Sequence, residues 1–222
     1  MEDNNPWMGL NSYNEPSKDA SNKRYLFCGR QKETFELVQL IEHNAFVTLY
    51  GKTGIGKTSL LRAGVFPILR HHYDHTVPDK PELPSFYPIH IRLKSPTQLK
   101  DQEVDTSSKP LSEVLILCIE HELKTIQQKE QLSSPPKPCD LKYLWFYFHA
   151  HKFNDGSKNV SPVIVLDQFE ELFAKQTDEE KVTLFLSQLY LLVENHLPWS
   201  VSEGYNYPYC RFVISIRDDR FF

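Results

Sequence analysis

The eight residues Gly51-Lys52-Thr53-Gly54-Ile55-Gly56-Lys57-Thr58 join two segments of opposite character, and that junction limits the fold more than any other part of the chain. Before it, Ala45 to Tyr50 (Ala-Phe-Val-Thr-Leu-Tyr) is a short β-prone run stopped by a glycine, and it reads as a buried parallel strand. After it, Thr58 to Arg70 reads as a helix, with Pro67 expected to bend or end the final turn. The spacing matches GxxxxGK[ST] in full and has the strand and helix flanks that this pattern needs. Its glycines let successive backbone N–H groups turn inward around a phosphate, and the helix N-terminus adds the positive end of a dipole. Lys57 can reach β- and γ-phosphates, and the Thr58 hydroxyl can ligate a Mg²⁺ that bridges them. Gly51, Thr53, Gly54, Ile55, Gly56, Lys57, Thr58 and the adjoining Ser59 are therefore the candidate phosphate-binding positions.

Helical and extended patterns alternate along the rest of the chain. Gln31 to Asn44 carries Phe35, Leu37, Val38, Leu40 and Ile41 at helical spacing. A proline-rich loop surrounds one strand, Phe86 to Leu93, and Pro110 opens a helix whose apolar positions run from Leu111 to Ile126. Ser133 to Pro138 is a break, and Leu141 to Phe153 reads as a helix whose aromatic run, Tyr143 to Phe148, packs beneath a sheet, a partner-binding face being the alternative. Val163 to Leu166 is a second continuous apolar strand. Thr177-x-x-Glu180 has the form of a capping box before a helix with Val182, Phe185, Leu186, Leu189, Tyr190 and Val193 on one face. Phe212 to Ile216 is the last strand. Strands separated by helices imply parallel pairing through right-handed crossovers, hence an α/β fold with helices on both faces of a parallel sheet.

The 222 residues are enough for a substantial core without disulfide or metal staples. A hydrophobic share of 40% and a charged share of 24% exclude fibrous and wholly disordered classes. The net charge of −4 disfavours nucleic acid as a partner. Cys28, Cys118, Cys139 and Cys210 are scattered, with no CxxC pair, and read as reduced intracellular thiols. The N-terminus lacks the basic and apolar regions of a signal peptide. The longest apolar runs, Val114 to Ile119 and Tyr143 to Phe148, are far shorter than the roughly 20 residues of a membrane span, so the compartment expected is the cytoplasm.

Two further strand ends carry chemistry. Val163 to Leu166 runs into Asp167-Gln168-Phe169-Glu170-Glu171. An Asp at a strand tip can hold Mg²⁺, and a carboxylate just beyond can polarise an attacking water. Asp167 takes the metal role with Thr58, and Glu170 and Glu171 compete for the water role. The plainer reading is an acidic helix start favoured by the dipole. Arg217, at the tip of the last strand, would sense a γ-phosphate if that strand lies between the other two; a surface pair with Asp218 or Asp219 is the alternative.

Tyr25-Leu26-Phe27-Cys28-Gly29-Arg30-Gln31-Lys32-Glu33 is similar to the hhGRExE motif of STAND-class nucleotide switches. Asn5-Pro6-Trp7, Gly9-Leu10, Tyr13, Ser59-Leu60-Leu61-Arg62-Ala63-Gly64, Pro67, the Asp-Gln-Phe-Glu-Glu-Leu-Phe run at 167–173 and Ile216-Arg217-Asp218 also resemble the novel STAND (nSTAND1) NTPase family. The resemblance implies an ASCE/AAA+-like P-loop NTPase domain, with Gly29 and Arg30 along the base. Gln31 departs from the family's usual Glu. It further implies a switch driven by ATP (or GTP) and Mg²⁺ that self-associates in the triphosphate state and serves signalling or antiviral defence. The organisation expected is an extended arm over 1–25 and a nucleotide-binding domain over 26–222. Because the family continues into a helical lid and winged helix, the chain is expected to lack both and to be the N-terminal part of a longer protein.

Two other functional classes compete with a slow NTPase: an interaction module that nucleotide stabilises without turnover, and a nucleic-acid-stimulated ATPase of the AAA+ type. His71-His72-Tyr73-Asp74-His75 offers metal-ligand types, but it follows a helix end where cationic His is favoured anyway. His149 and His151 diverge if helical.

Overall fold

A computed structural model of the chain describes residues 29–74, 85–92, 109–123, 125–128, 136–154, 159–175, 178–196 and 210–218. The arm over 1–25, Cys28 and the first residues of the GRExE-like segment lie outside them, as do Thr177 and Asp219. Helix α1 is Gln31–His43, followed by strand β1, Phe46–Gly51. One continuous helix then runs through α2 (Lys57–Ser59), a π-helical stretch (Leu60–Val65) and α3 (Phe66–Asp74). Next come β2 (Ser85–Ile91), α4 (Leu111–Glu122), β3 (Thr125–Gln128), α5 (Tyr143–Ala150) and β4 (His151–Asn154). The chain closes with β5 (Asn159–Leu166), α6 (Glu171–Lys175), α7 (Glu179–Val193) and β6 (Arg211–Arg217).

Four parallel strands lie in the order β1-β6-β5-β2, so the last strand in sequence is inserted between the glycine-loop strand and the acidic strand. This insertion brings the C-terminal tips of β1, β6 and β5 to one rim. Period-two alternation along β5 sends Val163 and Val165 to one face and Ile164 and Leu166 to the other. The first face packs on Leu37, Val38 and Ile41 of α1 and on Leu61, Val65 and Leu69 of the helix after the loop. The second packs on α4, α5 and α7. The aromatic run is core, as its composition suggested: Phe148 is fully buried edge-on against Phe212 of β6, with centroids 5.8 Å apart.

The structure differs from five local expectations. The sheet is mixed, because Ile126 and Phe153 are strand residues: β3 pairs antiparallel with β4, and β4 pairs antiparallel with the start of β5. Each has a polar residue on either side, Ile126 in Thr-Ile-Gln-Gln and Phe153 in Lys-Phe-Asn, a period of two masked by the preceding helical runs. Strand β1 pairs with β6 alone among the described residues, leaving Phe46 and Tyr50 exposed, so it is not the fully buried strand its composition suggests. Pro67 does not end its helix. The ring would clash with the carbonyl four residues back; the preceding turns widen instead, Phe66 N–H bonding Leu61 O, and the helix continues to Asp74. Asp178 rather than Thr177 caps α7, its carboxylate accepting from Lys181 N at 3.2 Å, and Tyr190 points outward.

Among the described residues no helix is long and apolar enough to cross a membrane.

Candidate nucleotide site

The glycine loop leaves β1 at Gly51, which stands opposite Arg217 of β6 in the parallel register. Gly54 and Gly56 have φ of 79° and 86°, a left-handed conformation that a Cβ strains. Gly56 begins the helix, its carbonyl accepting from Leu60 N at 2.8 Å, so the exposed loop runs directly into the helix start. Lys57 is the first residue of that helix and donates from Nζ to the carbonyls of Gly51 (2.5 Å) and Lys52 (3.2 Å). Partial burial lowers the Lys57 pKa, the Glu170 carboxylate raises it and Arg217 lowers it, with lesser pulls upward from Asp167 and Asp218. The ammonium therefore sits in the combined field of the acidic strand end and β6.

Asp167 is held by three elements. Its backbone N–H bonds Ile91 O of β2 at 2.9 Å. Its Oδ2 accepts from Thr58 Oγ1 at 2.9 Å, Arg92 Nη2 at 3.1 Å and His90 Nε2 at 3.2 Å, while Oδ1 accepts from Gln168 N. Burial alone would raise its pKa. Hydrogen bonding and charge from His90, with the Thr58 hydroxyl, outweigh that and hold the carboxyl below the usual carboxylate range. His90 is itself held edge-on by Phe66, 6.1 Å away.

Gln168 adopts a left-handed φ of 55°. That turn brings Phe169 N to Ser215 O of β6 at 3.0 Å and leaves Glu170 beside Arg217. Glu170 is buried; it accepts from Arg217 N at 3.3 Å, and its Oε1 lies 3.2 Å from Arg217 Nε. Glu171 instead begins α6 and is more exposed, so the two acids that sequence spacing left equivalent occupy different surroundings. The partner of Arg217 is Glu170, not the neighbouring Asp218. Arg30, at the start of α1, reaches across the loop: Nη1 donates to Ile55 O at 2.7 Å, and Nε pairs with Glu33 at 3.3 Å. The GRExE-like segment thus braces the glycine loop directly. Gly29 precedes it with φ 87°, and Thr53 and Ser59 lie in the same loop and helix start.

Thr58, Asp167, Glu170 and Arg217 converge with Lys57 at the end of the glycine loop, as their sequence positions lead one to expect. His90 and Arg92 join them without being expected from the sequence. The signal was present in Pro88-Ile89-His90-Ile91-Arg92, where buried residues alternate with polar ones at the strand's end, but nothing in sequence says which strand lies beside β5. The side chains of His71, His72 and Asp74, and all of His75, lie outside the described residues, among which no cluster of metal-ligand types occurs. His149 and His151 are committed to separate carbonyls, of Trp145 (2.7 Å) and Tyr147 (2.8 Å).

A glycine loop between strand and helix, with an acidic strand one strand removed among the parallel strands of the sheet, defines a P-loop NTPase-type domain. The model of the Novel STAND NTPase 1 family matches residues 6–221, and the chain belongs to that family. A search of curated proteins gives no match. Among solved structures the chain is similar to the ORC2 protein of Aeropyrum pernix, described as ADPNP-ADP complexes, at 16% identity and a TM-score of 0.41. That likeness covers 86% of this chain and 42% of the other, so the chain spans less than half of ORC2's length.

Proposed function

We propose that this domain binds a nucleoside triphosphate, ATP in the first place, with Mg²⁺, and hydrolyses it slowly as the timing step of a conformational switch. The observation that carries the reading is the meeting of the Thr58 hydroxyl with the Asp167 carboxylate at 2.9 Å, on the rim where Lys57, Glu170 and Arg217 gather. Thr58 and Asp167 offer hard oxygen donors from two rigid elements, which suits Mg²⁺; the ion when bound neutralises charge on the β- and γ-phosphates. Backbone N–H groups of the loop hold the phosphates, and the Lys57 ammonium leaves its two carbonyls for phosphate oxygens. Arg217 binds the terminal phosphate and stabilises charge as it leaves, a role its position beside Glu170 at the tip of β6 supports. Glu170 accepts the proton of the attacking water at its carboxylate. Its pairing with Arg217 favours slow turnover, because the base is engaged until the arginine is drawn elsewhere. Gly29 and Arg30 line the base side, as the family pattern implies, and self-association in the triphosphate state, a cytoplasmic site and a signalling or defence role belong to the same reading.

The test is to denature the purified chain and identify the nucleotide released, then repeat with Lys57→Ala. Adenine nucleotide from the parent and none from the variant is the expected result. A variant that retains nucleotide as well as the parent does refutes the assignment.

A further inference from the structure

The environment of Asp167 contains more cation than its metal role needs. One oxygen, Oδ2, receives the Thr58 hydroxyl, the His90 ring and the Arg92 guanidinium within 2.9 to 3.2 Å. The carboxylate is nearly inaccessible, with 1% of its side chain exposed. The three donors are not equally fixed. Thr58 is anchored in the first turn after the loop, and His90 is packed on Phe66 and is 15% exposed. Arg92 is the first residue beyond β2, and its side chain is 34% exposed. It is therefore the donor that can leave Asp167 with the least disturbance to the core. An arginine and a divalent cation both seek the same negative charge, and proximity of the two is itself repulsive.

We propose that Arg92 acts as a built-in cation that competes with Mg²⁺ for Asp167, so that this positioning residue on β2 sets how much metal the nucleotide site requires. His90 keeps the carboxylate oriented while the guanidinium is exchanged for metal. The inference rests on the metal role given to Asp167 above. Its signature is unusual, because removing a charge-paired side chain should improve metal binding, whereas a merely structural role predicts weakening or no change.

The experiment uses the full chain, freed of metal with a chelator and loaded with stoichiometric ADP. Mn²⁺ is titrated in, and free Mn²⁺ is read by electron paramagnetic resonance. Arg92→Met should lower the Mn²⁺ dissociation constant by about threefold or more, and Arg92→Lys, which keeps the charge, should leave it near the parent value. A circular-dichroism melt confirms folding, and Arg92→Gln answers the same question if the methionine variant does not fold. Unchanged or weaker Mn²⁺ binding in the neutral variants overturns the proposal, as does equal tightening in Arg92→Lys. If the parent takes up no ADP, the nucleotide reading itself fails and the inference falls with it; uptake of ADP without the shift sinks the inference alone.

Discussion

Glu170→Gln separates the two acids that follow the acidic strand. The Glu170 carboxylate is 4% exposed, lies 3.2 Å from Arg217 Nε and accepts from Arg217 N. Unit charges at about 4 Å attract by roughly 4 kcal/mol at an effective dielectric constant near 20, but burial of both groups consumes much of that. The amide keeps the size of the side chain and an acceptor for Arg217 N–H, so loss of the charge should cost the fold only about 1 to 3 kcal/mol. The rate should suffer far more. A glutamine cannot accept a proton from water, and loss of general-base catalysis lowers turnover by about 10² to 10⁴. Nucleotide affinity should hold or rise, since one negative charge beside the phosphates is gone. Single-turnover phosphate release, set beside equilibrium binding of a fluorescent nucleotide and the same measurements on Glu171→Gln, reads both effects. If Glu170→Gln turns over like the parent while Glu171→Gln stalls, the assignment of the base from burial and the Arg217 contact is wrong.

Arg30→Ala removes the donor to Ile55 O and should loosen the loop, weakening nucleotide binding by about 1 to 2 kcal/mol with little change in the melting temperature; isothermal titration and a thermal melt check the two together. Leu61→Ala, at a fully buried position of the π-helical stretch, should destabilise by about 2 to 5 kcal/mol in urea unfolding. Burial pushes the Cys118 thiol up to about 11, with Glu122 adding to the rise, so the native state holds that proton more tightly than the unfolded chain. This contribution is present below the unfolded thiol's ordinary pKa of 9.0 and is lost as pH climbs from there towards 11; urea midpoints should fall less steeply over that range in Cys118→Ala than in the parent. In native alkylation followed by mass spectrometry, exposed Cys139 should react well before Cys118, and buried Cys210 last.

Where local pattern meets a strict chemical requirement, the sequence was decisive. Gly54 and Gly56 must be glycine for the loop to turn, Lys57 and Thr58 follow at fixed spacing, and the apolar run into Asp167 announces a buried strand with a polar tip. Those features indicate the fold class, the family and most of the candidate site. Within Tyr143 to Phe148, core packing is the commoner reading and a partner-binding face the alternative; Leu144, Trp145, Tyr147 and Phe148 are buried. The antiparallel ribbon of β3 and β4 was not legible, because four-residue strands leave too short a period to stand out from the helices that precede them.

Only the assembled sheet could decide which strand neighbours which. Placing β2 against β5 delivers His90 and Arg92 to Asp167, and placing β6 against the other edge of β5 gives Glu170 to Arg217 and leaves Glu171 outside that pair. Pairing between strands whose facing residues lie 75 positions apart (Ser85 and Val160) or 48 apart (Val163 and Arg211) is a matter of register and hydrogen bonding across the sheet, and a linear pattern of residue types carries no record of it.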